Sequence, residues 1–122
     1  MSTHKFFLAS FIATLLFTSV AFGKGEQITG AELKSLLPGS TMTGISSRGK
    51  SWEAKFVSDG TYTLEVPEVN FSDKGTWDIK GDGYCSERTK RGSQCFTIHH
   101  VSGNDYIRED ERGQGTKIQI LK

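Results

Sequence analysis

The sequence predicts a mainly β protein, a small antiparallel up-and-down β-barrel or curled sheet of about eight strands, with one short N-terminal helix. Three observations lead there. Past Ser40 the apolar residues recur with period two in runs of four to seven, the signature of half-buried strands. Turn signals rich in glycine separate these runs, and the 122 residues include 14 glycines but only two prolines. The connections are too short for parallel crossovers, so each strand should pair antiparallel with the next. A meander with one strongly apolar face gains a single core and loses both free edges by closing on itself.

The elements follow in chain order. Met1 to Lys5 is polar, Phe6 to Val20 is apolar apart from Ser10, Thr14, Thr18 and Ser19, and Ala21-Phe22-Gly23 places small residues before Lys24. This is the layout of an export signal cleaved after Gly23. The apolar run is short for a bilayer span and no basic stop follows it. The expected organisation is a signal peptide over 1–23 and a single barrel-like domain over 24–122. Cleavage would remove Lys5 and leave fourteen charges of each sign in 99 residues, from a full chain of net charge +1. Such a balance offers no field for nucleic acid or an anionic membrane, and the mature form is expected to be a soluble monomer.

Thr29-Gly30-Ala31-Glu32 has capping-box spacing, and Leu33, Leu36 and Leu37 form an apolar stripe before Pro38-Gly39 ends the helix. Two helical turns cannot stand alone in water, so the stripe must pack on the sheet. The strands are then read at Thr41 to Ser46, Trp52 to Phe56, Tyr62 to Val66, Gly75 to Lys80, Tyr84 to Glu87, Gln94 to His100, Tyr106 to Asp110 and Thr116 to Leu121. Pro67 should interrupt pairing after the third.

Cys85 and Cys95 both lie in the exported part, and an oxidising compartment would join them. Closing a loop of about eleven residues stabilises a fold by roughly 3 kcal/mol in the chain-entropy account. On the inward parity fall Trp52, Phe56, Tyr62, Trp77 and Phe96, with Leu64, Ile79, Ile98, Ile118 and Ile120. They read either as a ligand cup or as a filled core, and the short strands with two indoles inside favour the filled core.

His99 and His100 are adjacent on a strand, so their rings point to opposite faces and no metal site is expected. Asp59, Asp73 and Asp82 sit beside Gly or Lys and read as caps of local turns. Oxidised cysteines would not serve as nucleophiles, and no catalytic constellation or cofactor motif stands out, so an enzyme is not expected. Arg88, Lys90 and Arg91 form a basic hairpin beside the cysteine pair, which reads as ordinary surface or as a contact with an acidic partner. Asn70-Phe71-Ser72 has the form of a glycosylation acceptor, relevant only in a eukaryotic secretory pathway.

Taken together, Thr29-Gly30-Ala31-Glu32-Leu33 with Leu36-Leu37, Gly44, Trp52, Phe56, Asp59-Gly60-Thr61, Gly75-Thr76-Trp77, Cys85 and Cys95-Phe96 resembles a family of small exported bacterial proteins carrying a domain of unknown function. The likeness runs from Thr29 to Ile98 and implies a periplasmic or secreted protein, with no assigned activity and no site residues to carry over. The Gly-x-Trp element is also similar to that of lipocalin-like barrels, although the chain is shorter than a usual lipocalin. The expected function is a non-catalytic binding module whose partner is an unknown protein or a small apolar ligand. Two alternatives stand beside it: an inhibitor of a secreted hydrolase, lysozyme or protease, acting through the Arg88 to Gln94 hairpin, and a carrier of a small apolar ligand.

Overall fold

The computed structural model describes residues 25–122. The expected export signal over 1–23 lies outside the described residues. The domain is a closed eight-stranded antiparallel barrel with one helix.

A two-residue strand, β1 (Glu26–Gln27), precedes helix α1 (Gly30–Leu36). The barrel strands are β2 (Ser40–Ile45), β3 (Ser51–Phe56), β4 (Thr61–Val66), β5 (Phe71–Lys80), β6 (Gly83–Arg88), β7 (Gly92–Ser102), β8 (Asp105–Asp110) and β9 (Gly115–Leu121). Each pairs with the next, and β2 closes the ring on β9 through Thr41↔Leu121 to Gly44↔Ile118. Closure gives every barrel strand a partner on both sides, which removes the exposed edge an open meander would leave. β1 is a ninth strand laid along the far half of β7, with Glu26 opposite His100 and Gln27 opposite His99.

Two strands depart most from the sequence expectation, β1 and β5. β1 escaped detection because two polar residues show no alternation, and only β7 gives them a register. β5 begins at Phe71 rather than Gly75, because Phe71 to Lys74 pair with Val66 to Thr63 despite their polarity. Asp73 accordingly stands within a strand, on the same face as its inward partner Leu64, and is not a turn residue. Pro67 does end β4: Pro67–Val69 forms a single 3-10 turn and Asn70 takes a left-handed conformation (φ 54°) before β5 begins.

The capping box of α1 forms as its spacing requires. The Thr29 amide donates to Glu32 Oε1 at 2.8 Å, and the Glu32 amide donates to Thr29 Oγ1 at 3.2 Å. Leu33 and Leu37 are fully buried, while Leu36 is half-buried against the same core. The helix is seated on the β5–β6 turn, where the Gly30 amide donates to Asp82 Oδ1 at 2.8 Å. A Cβ at Gly30 would lie 2.1 Å from the Gly81 carbonyl oxygen, so this approach needs glycine.

Helix α1 covers the barrel end where β3 finishes and β4 begins. Phe56 fills that end, with Tyr62, Trp77 and Tyr84 set edge-on around it at centroid distances of 5.1, 5.5 and 5.2 Å. Edge-to-face packing of this kind adds to the stabilisation from burial alone. Leu33→Ala should cost roughly 2 to 5 kcal/mol by opening a cavity under the helix, and Leu36→Ala clearly less. Urea unfolding followed by circular dichroism measures both; equal losses would mean that the helix does not close the core in this way.

Candidate functional site: the open mouth of the barrel

The described residues leave the end of the barrel away from α1 open. A cavity of about 650 Å³ opens there, bounded by the β2–β3 and β6–β7 connections. Small-molecule sites commonly fall in the range of about 300 to 1,000 Å³. The inward residues form a buried core, and this cavity opens beside it at the end away from α1.

Of the five aromatic residues read as cup or core, Trp52, Phe56, Tyr62 and Phe96 are all buried in the core, and Trp52 and Tyr62 also line the cavity. Trp77 keeps the inward parity but lies beyond the start of β4, half-buried against Phe56, and its Nε1 donates to the Val57 carbonyl at 2.9 Å. It closes the helix end and contributes nothing to the mouth.

One wall of the cavity comes from β3 to β5 and is apolar: Trp52, Leu64, Val66, Val69 and Phe71. Trp52 lies flat over Gly44, its partner on β2. A Cβ at residue 44 would sit 2.6 Å from Trp52 Cζ2, so the small residue sets the position of the indole.

The charged residues of the lining are all cationic, beside the neutral Ser46, Ser47 and Gln94. Arg48 and Lys50 come from the β2–β3 connection, Arg91 from the β6–β7 connection, and Arg88 and Arg108 from inside the barrel. Arg88 shares its face with the inward residues Tyr84 and Ser86, and Arg108 is paired with the inward Ile98. The Arg108 guanidinium lies 4.0 Å from the Phe96 ring centroid and 4.6 Å from that of Trp52, and its Nη1 donates to the Tyr84 hydroxyl at 3.3 Å. Arg88 donates from Nη2 to Gln94 Oε1, while its buried Nε has no acceptor among the described residues. Among the described residues no carboxylate lines the cavity and none pairs with either interior arginine.

Asp73 is the acidic group whose charge reaches Arg88, and it is engaged elsewhere. Burial acts to raise its pKa, but the amides of Lys90 and Lys74 and the charges of Arg88 and Lys90 outweigh burial and leave the carboxyl below its ordinary value. The Lys90 amide donates to Asp73 Oδ1 at 3.0 Å and the Lys74 amide to the same oxygen at 2.8 Å.

That bond also shapes the hairpin that the sequence singled out as a partner contact. Cys85 and Cys95 form a disulfide between directly opposed residues of β6 and β7, on the face opposite Arg88. Beyond it the tip folds back onto the start of β5. Lys90 Nζ donates to the Ser72 carbonyl at 2.7 Å, and Lys90 and Arg91 lie over the Phe71 ring. Arg88 enters the barrel while Lys90 and Arg91 form its rim, so the three do not make one outward finger.

Tyr62 stands on β4, opposite β8 in the eight-strand ring, and lines the cavity. Burial, with Tyr84 nearby, pushes its pKa up to about 12, although Arg108 and Arg88 pull the other way. The phenol therefore keeps its proton at neutral pH and is available as a donor. Sequence reasoning found Arg88 and Tyr62 but passed over Arg48, Lys50 and Arg108. Arg108 sits among Glu109, Asp110 and Glu111, and only its inward parity distinguishes it from a solvated charge.

The two histidines part as strand geometry requires. His100 Nε2 approaches the Gly103 carbonyl at 3.0 Å and its ring packs on Tyr106, while His99 faces Glu109 at 3.6 Å. No family model, curated protein or solved structure matches the chain.

Because folding raises the Tyr62 pKa from 10.0 to about 12, its contribution to stability is complete below pH 10 and is lost as pH rises towards 12. The unfolding free energy should fall across that interval by up to about 1.4 kcal/mol per pH unit for such a group. Tyr62→Phe should flatten part of this fall and remove a late component from the tyrosinate absorbance titration. Loss of a component near pH 10 instead would place the hydroxyl in water.

Proposed function

We infer that this chain is an exported, non-catalytic binding module that takes a small molecule into the open mouth of the barrel. One observation carries the reading. The cavity joins a continuous apolar wall to interior guanidinium groups that have no carboxylate partner among the described residues, an arrangement poor for stability and suited to a ligand. The half-filled interior also supports a comparison with lipocalin-like barrels, in which an eight-stranded ring is just wide enough to hold one small ligand.

The Cys85–Cys95 disulfide supports export, since such bonds persist in oxidising compartments, and a periplasmic or secreted location follows from joining it to the N-terminal signal pattern. The inhibitor reading draws less support. A docking finger needs Lys90 and Arg91 projecting free, whereas here they are held against Phe71 and Ser72.

The test uses 1-anilinonaphthalene-8-sulfonate, an amphiphilic anion whose fluorescence rises on leaving water. The mature protein should bind it saturably at one site, and Val66→Trp, which fills the mouth from β4, should abolish binding while the circular dichroism spectrum is retained. Unsaturable binding, or binding indifferent to Val66→Trp, would contradict the reading. Inhibition of a lysozyme or protease that is lost on exchanging Lys90 and Arg91 for Glu would favour the inhibitor instead.

A further inference from the structure

The two walls of the mouth specify more than the presence of a ligand. We propose that the ligand is a small amphiphilic anion, with a carboxylate or phosphate held by Arg88, Arg108 and Tyr62 and an apolar body laid against Leu64, Val66 and Phe71. The proposal rests on the mouth being a binding site and adds the chemical class of its occupant.

The charge distribution carries it. Arg88 and Arg108 flank β7 from its two sides and both face the cavity half-buried. Guanidinium groups in such a position, with no carboxylate paired to them, carry a desolvation cost that a bound anion would offset. Each presents several N–H donors in a plane, a geometry that matches the oxygens of carboxylate or phosphate.

Their existing partners leave most of these donors unused. Arg88 gives one bond to Gln94, and its Nε has no acceptor among the described residues; Arg108 gives one bond to Tyr84. Tyr62 supplies a third donor from the facing strand, and it retains its proton because burial opposes ionisation.

The rim repeats the same sign. Arg48, Lys50 and Arg91 stand at the entrance on the β2–β3 and β6–β7 connections, and a cleft lined by one sign of charge draws oppositely charged solutes towards it. A neutral apolar ligand would use the β3–β5 wall but leave the interior guanidiniums unpaired and dehydrated. An inorganic anion would use the guanidiniums but leave the apolar wall facing water. A molecule with both parts satisfies both walls.

Isothermal titration with decanoate, decyl phosphate and decanol, each below its aggregation limit, tests the proposal on the mature disulfide-bonded protein. The expected result is saturable binding of at least one of the two anions, with decanol about 10- to 100-fold weaker, as fits the loss of hydrogen bonds to charged groups. Whichever anion binds more tightly identifies the carboxylate or the phosphate source.

Arg88→Gln should remove most of this preference for the anion while changing decanol binding little, and Tyr62→Phe should remove a smaller part. Arg88→Lys, which keeps the charge, should recover some of it and guards against an effect of folding alone. Decanol binding as tightly as both anions would overturn the anion assignment while leaving the mouth a ligand site. Binding of none of the three would overturn the ligand-site reading and the proposal with it.

Discussion

Closure of the ring by β2 and β9 is the constraint on which the rest of the molecule depends. Once Thr41 to Gly44 pair with Leu121 to Ile118, eight strands enclose an interior of fixed girth, and every inward side chain must either fill it or face into it. At one end Leu33 and Leu37 from the helix join Phe56 and its ring of aromatics in one buried core. At the other end no α-helix among the described residues intervenes. The inward positions of β6, β7 and β8 there carry Arg88, Gln94 and Arg108 in place of apolar groups. The difference between the two ends is thus written in the side chains of the same strands.

Local interactions convert that difference into a shaped mouth. The Cys85–Cys95 bond holds β6 against β7, and Asp73 ties the hairpin tip to β5 through the amide of Lys90. Gly44 lets Trp52 lie flat, and Trp52 with Phe96 supports the guanidinium of Arg108. An arginine stacked in this way keeps its orientation without a carboxylate, because ring faces attract the cation and pack against its plane. Such support leaves the charge available to something entering the barrel.

Much of the fold was legible in the sequence, and the reasons are specific. Alternation in Trp52-Glu53-Ala54-Lys55-Phe56 and Tyr62-Thr63-Leu64-Glu65-Val66 fixed both the strands and their inward faces. The capping box and leucine stripe located the helix. The first half of β5 was hidden, because Ser72, Asp73 and Lys74 are polar and the bonds that let Asp73 face inward come from residue 90, seventeen positions away. The site was only partly legible. Tyr62 and Arg88 could be singled out by parity or local charge, but Arg108 lay in a run of mixed charges, and Arg48 and Lys50 in a polar turn. Only closure of the ring brings these segments to one opening, and no spacing along the chain records that.

The two tryptophans allow the most direct test of a barrel filled at one end and receptive at the other. Trp52 lines the mouth, while Trp77 caps the helix end against Phe56. Labelling the indole nitrogens with nitrogen-15 and adding decanoate or decyl phosphate should shift the Trp52 resonance progressively to saturation and leave Trp77 in place. A shift confined to Trp77, or equal shifts of both, would contradict a ligand site in the open mouth.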